Sequence, residues 1–108
     1  MVMEARFSKS RTEQPEPKES QIHAAVVKEC KARGWIVFHG AMNHRSMRTI
    51  GEPDLTVMAD NGRVFFVELK TRTGKLSPEQ LGLTMLAERL GHKIHVVRSL
   101  VEFREIVK

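Results

Sequence analysis

With 108 residues, the chain has room for one domain and a modest core, and it contains neither an eighteen-residue apolar run nor a charged-then-apolar start, which argues against a membrane span and a secretory signal. One cysteine excludes an internal disulfide, and five histidines beside it show no zinc-site spacing. The net charge of +5 suits a polyanionic partner without naming one.

Residues 1–18 read as a disordered arm. Arg6, Lys9, Arg11 and Lys18 alternate with Glu4, Glu13 and Glu16, Pro15 and Pro17 interrupt them, and no apolar period runs through. The remaining segment, 19–108, holds 14 Lys and Arg against 10 Asp and Glu, and so carries +4 of the charge. A domain of this size buries roughly 60–65% of its unfolded surface, so oligomerisation would help it. Glu19 or Ser20 opens a helix with Ile22, Ala25, Val26 and Cys30 at helical spacing, closed by Gly34 after the basic Lys31 and Arg33. Cys30, eight residues after Ile22 on that stripe, is expected as a core filler.

A short apolar strand follows at Trp35 to His39, then a polar, aperiodic loop from Gly40 to Glu52 carrying His44, Arg45 and Arg48. Asp54 to Ala59 and Arg63 to Lys70 form a hairpin around Asp60-Asn61-Gly62. Thr71 to Leu76 is a linker with Arg72 and Lys75. Ser77-Pro78-Glu79-Gln80 starts a second helix as a capping box, with Leu83, Leu86 and Leu90 as its expected buried stripe, Leu81 and Met85 alongside, and Gly91 as its end. Ile94 to Val97 is a fourth strand, and Ser99 to Glu102 caps a last helix through Val107. The order αβββαβα predicts an α/β fold with a mixed four-stranded sheet flanked by helices.

The chemistry concentrates on Asp54, Glu68 and Lys70. A period of two puts Glu68 and Lys70 on one side of their strand and turns Leu69 to the other, so an acid and a base share a strand that otherwise reads as buried. Whether Asp54 joins them depends on the turn. A two-residue loop of Asn61 and Gly62 sets Asp54 opposite Leu69, whereas a three-residue loop of Asp60, Asn61 and Gly62 sets it opposite Glu68, with Cβ atoms about 4.5–5.5 Å apart. The second register is adopted here. Two carboxylates held that close call for a cation to relieve their repulsion, and hard oxygen ligands match Mg²⁺ or Mn²⁺.

Gly51-Glu52-Pro53-Asp54-Leu55, Val67-Glu68-Leu69-Lys70, Gly74-Lys75-Leu76-Ser77-Pro78-Glu79-Gln80 and Val97-Arg98-Ser99 occur in the order and on the elements of the PD-(D/E)XK nuclease superfamily. Over residues 19–108 the chain resembles its VRR-NUC family of small stand-alone domains, common in phages. The resemblance implies a restriction-endonuclease-like fold and Mg²⁺- or Mn²⁺-dependent cleavage. It implies Asp54 and Glu68 as metal ligands, the backbone carbonyl of Leu69 as a further oxygen, and Lys70 as support for water and transition state. It also implies Gln80 as a supporting residue and Glu19 as an acidic ligand from the first helix. Each has a bland rival. Asp54 and Glu68 could simply be polar strand ends, Lys70 a snorkelling lysine, Gln80 a capping residue and Glu19 a dipole-stabilised helix start. His23, one turn after Glu19, lines the same cleft or is a partly exposed helix histidine.

Arg45, Arg48, Arg72 and Lys75 flank the site in sequence and are candidates for a phosphate backbone, with a solvated loop as the alternative. The expected protein is therefore a cytoplasmic, divalent-metal-dependent deoxyribonuclease leaving a 5′-phosphate, with DNA as partner and no membrane. With no separate recognition domain, branched or junction DNA, or nicking, is the expected target. Symmetric cutting of two strands asks for a homodimer or higher homo-oligomer. The alternative is a nucleic-acid-binding module that does not cut, or a nuclease subunit active only in a larger assembly.

Overall fold

Among the described residues, four strands and three α-helices follow one another in the expected order. The computed structural model describes residues 15–40 and 49–108, and within these helix α1 spans Glu19–Ala32 and strand β1 Ile36–His39. Strand β2 runs Leu55–Met58, a 3₁₀ turn Asp60–Gly62, strand β3 Val64–Leu69, helix α2 Pro78–Arg89, strand β4 Ile94–Val97 and helix α3 Leu100–Ile106. The sheet order is β1-β2-β3-β4, antiparallel between the first three strands and parallel between β3 and β4. A parallel pair needs a crossover connection, and α2 supplies it.

The hairpin settles the register. Leu55 pairs with Val67 and Met58 with Val64, and Ala59 N–H closes the turn on the Arg63 carbonyl at 2.8 Å, leaving a three-residue loop. Extending the ladder by one residue sets Asp54 opposite Glu68. The loop needs two left-handed residues, Asn61 at φ 55° and Gly62 at φ 72°, which are residue types that tolerate that conformation.

One side of the sheet is closed. Leu55, Val57, Val67, Leu69 and Val97 pack under Ile22, Val26 and Cys30 of α1 and under Phe103 and Val107, with Trp35 at the edge. Cys30 is fully buried, and burial pushes its thiol up to about 11, which agrees with a filler and not a reactive group. The other side is half open. None of the residues of α2 is buried, and Leu81, Met85, Leu86 and Leu90 are each about half exposed or more. The expected burial of this leucine stripe is thus corrected. The helix touches mainly the β4 end of its face, leaving an apolar cavity of about 280 Å³ among Pro53, Phe66, Leu83, Leu86, Leu90 and Ile94. Beyond it, Ile36, Phe38, Met58 and Val64 on β1, β2 and β3 stay exposed on the same side.

Candidate active site

At the end of the sheet where β2 begins and β3 finishes, the paired carboxylates meet the first turn of α1. Asp54 precedes β2 by one residue, and its Oδ2 accepts the Leu69 N–H at 2.7 Å, which fixes it across from Glu68. Gly40 N–H donates to the Asp54 carbonyl at 2.8 Å from the β1 side, so the backbone of Asp54 is held as well as its side chain. The approach to Asp54 also depends on Gly51. At φ +87° it runs so close to α2 that a Cβ would lie 2.7 Å from the Glu79 carbonyl oxygen, a contact only glycine avoids.

Glu68 is 2% exposed, the one buried charged residue in the described core. Burial, then a hydrogen bond and charge repulsion from Asp54, push its carboxyl up to about 9, while Lys70 opposes the shift and Glu19 adds slightly to it. In the metal-free protein at neutral pH the Asp54–Glu68 pair therefore holds a proton. The arrangement suits a hard cation. Two carboxylates in register, one of them buried, are a donor set that a divalent ion could take in exchange for a proton.

A cavity of about 160 Å³ opens beside the pair, lined by Glu19, Ser20, His23, Asp54 and Leu69. Glu19 of α1 is thus brought to Asp54. Among the described residues no three His, Cys, Asp or Glu side chains stand together as a ready-made metal cluster; Glu19 and Asp54 line one cavity beside the carboxylate pair. Lys70 shares the Glu68 side of β3, and its N–H is anchored on the Val97 carbonyl at 3.0 Å.

The other expected residues lie further out. Gln80 is committed to its helix: its Oε1 accepts the Ser77 N–H at 2.8 Å and its own N–H donates to Ser77 Oγ at 3.1 Å. Arg72 is exposed and lies 3.8 Å from Glu16, whose carboxylate also accepts the Thr73 N–H and hydroxyl. Lys75 is exposed on the same linker, which Arg98 pins through the Thr71 and Gly74 carbonyls at 2.7 and 2.6 Å. Arg45 and Arg48 fall outside the described residues. The sequence reading missed His39, whose Nδ1 lies 3.3 Å from His23 Nε2. Strand alternation puts His39 on the α1 side, but nothing local says that α1 passes there.

No family model and no curated protein matches the chain by sequence. A solved structure described as a VRR_NUC domain does match by fold, with a TM-score of 0.69 and 25% identity over 84% of this chain and 96% of that one. This likeness supports the chain's membership of the VRR-NUC family. Its four-stranded mixed sheet and three helices are those of the restriction-endonuclease-like VRR-NUC fold, and the domain is of nuclease type. No helix among the described residues is long and apolar enough to cross a membrane.

Proposed function

We propose that this VRR-NUC domain is a divalent-metal-dependent deoxyribonuclease of the PD-(D/E)XK type. The observation that carries this reading is the buried Glu68 held in register with Asp54 and sharing its side of β3 with Lys70. In this reading Asp54 and Glu68 hold Mg²⁺ or Mn²⁺, with the Leu69 carbonyl and Glu19 as further oxygens around the same cavity. The bound ion supplies a Lewis acid and charge neutralisation for phosphodiester hydrolysis. Lys70 orients the attacking water and offsets negative charge as it builds on the phosphorus centre. Water adds at phosphorus, the P–O3′ bond breaks, and the products are a 5′-phosphate and a 3′-hydroxyl. Gln80 supports the site through its cap: it fixes the start of α2, on which the Gly51 segment leading to Asp54 rests.

Arg72 and Lys75, directly after the catalytic strand, are assigned to phosphate contacts, as are Arg45 and Arg48. The half-open apolar side, with Ile36, Phe38, Met58 and Val64 beside α2, exposes several large apolar side chains together, whereas soluble monomers usually limit such patches to roughly a few hundred Å². This favours a homodimer, and two active sites suit branched or junction DNA.

The test is incubation of the purified protein with plasmid, flap and four-way-junction DNA, with and without Mn²⁺ or Mg²⁺. Cleavage by wild type that depends on metal and is lost in Glu68→Ala supports the assignment. Binding without cutting under every metal condition would instead identify a recognition module. Sedimentation of wild type against Phe38→Glu reads the oligomeric state separately.

A further inference from the structure

A second, larger groove adjoins the carboxylate cavity and shares one wall with it. It has a volume of about 590 Å³ and is lined by His23, Ala24, Val27, Lys28, Lys31 and His39, so His23 borders both spaces. The sequence of α1 explains the continuity. Glu19, His23, Val27 and Lys31 succeed one another every four residues along one stripe of the helix, next to the Ile22, Val26 and Cys30 stripe that faces the core. Charge reverses along the stripe: the acid lies at the site and the cations lie away from it.

Among the described residues, no carboxylate lines the groove. The nearby Glu29 is taken up on another side of the helix by Arg33 at 3.0 Å and Arg104 at 2.9 Å. Lys28 and Lys31 are exposed, and neither makes an ion pair among the described residues. The groove's apolar lining is small, Ala24 and Val27, and among the described residues no Phe, Trp or Tyr lines it for a base to stack on. A channel with cations along one rim and no base-reading platform fits a phosphodiester backbone, recognised by charge and not by sequence. At 1.5 Å per residue, Lys28 and Lys31 lie about 13 and 18 Å along the helix from Glu19, roughly four to five nucleotides at 3.4 Å each.

Resting on the nuclease reading above, we propose that the groove between α1 and β1 is the track of a nucleic-acid strand as it leaves the carboxylate site. Lys28 and Lys31 bind its phosphates, and the His23–His39 pair forms the threshold between track and site. This places strand binding on a surface distinct from the Arg72 and Lys75 linker.

The experiment measures anisotropy of a fluorescein-labelled 20-base-pair DNA at 50–300 mM KCl, in EDTA so that no cutting occurs. The proteins are wild type, Lys28→Ala/Lys31→Ala, the matching double arginine variant, and Lys93→Ala as a basic surface control. The double alanine variant is expected to lower the magnitude of the salt slope by about two, near 0.9 per lost phosphate contact, and to weaken binding several-fold at the lower salt. The arginine variant and Lys93→Ala should match wild type. Binding by wild type with an unchanged slope and affinity in the double alanine variant overturns the track while leaving the nuclease assignment intact, since Mn²⁺-dependent cutting is scored separately. Failure of wild type to bind DNA at any salt also overturns the track, and the nuclease reading then stands or falls on the separate Mn²⁺-dependent cutting.

Discussion

The proton held between Asp54 and Glu68 makes the stability of the metal-free protein depend on pH in an unusual direction. The Glu68 carboxyl is raised from 4.5 to about 9 in the folded protein, first by burial and then by Asp54. Between those values the folded state binds more protons than the unfolded one, so stability falls as pH rises. The contribution is complete below 4.5 and gone above about 9. One proton limits the slope to about 1.4 kcal/mol per pH unit, and relaxation around the pair reduces it, so from pH 6 to pH 8 the loss should be about 1–3 kcal/mol. For a domain of this length that is a fall in Tm of about 5–20 °C. His95 acts in the opposite sense, because burial and then Lys93 lower its pKa and stability gained from it rises with pH. The comparison with Glu68→Gln isolates the carboxyl: that variant should lose the downward slope and keep any upward one. Thermal and urea unfolding in EDTA at pH 6, 7 and 8 measure it. A wild-type slope equal to that of Glu68→Gln would refute the shared proton.

Three further outcomes are expected. Mg²⁺ or Mn²⁺ should raise the Tm of wild type at pH 8, by the equivalent of about 2.7 kcal/mol at a hundredfold excess over Kd, and leave Asp54→Ala unmoved in the same scan. Lys70→Ala should lower kcat by about 10²–10³-fold, by analogy with loss of one transition-state donor, while anisotropy shows DNA affinity close to wild type. Gly51→Ala should lose about 1–3 kcal/mol in urea unfolding, because its Cβ meets the Glu79 carbonyl and its φ is positive, and cleavage should fall with it as Asp54 is displaced.

Most of the fold was legible because each element carried its own local signal. Ser77 and Gln80 announced α2 with a reciprocal cap that the structure contains, and Ser99 Oγ accepts the Glu102 N–H at 3.1 Å as its sequence spacing implied. Helical spacing found Ile22, Val26 and Cys30, all buried. The stripe of α2 misled because periodicity reports only that a face is apolar. Whether anything covers that face is decided by the placement of the helix over the sheet, a non-local fact, and here α2 covers one end while β1 and β2 stay bare. The hydrogen bonds between Glu16 and Thr73 were invisible for the same reason, since 57 residues separate the partners.

The carboxylate site was legible to the degree that it is written in strand arithmetic. Once the loop is three residues long, parity alone puts Asp54 across from Glu68, and the choice between two and three residues turned on a stretch where Asp60, Asn61 and Gly62 are all turn formers. Parity could not say that Glu68 would be buried, which is the first cause of its raised pKa. Nor could parity say that α1 crosses the sheet end, which sets Glu19 on the cavity that Asp54 lines and brings His23 to His39. One packing event therefore joins the acidic centre to the basic groove. Any change that tilts α1, and not only one that removes a ligand, should alter both the placement of Glu19 beside Asp54 and the path open to a strand.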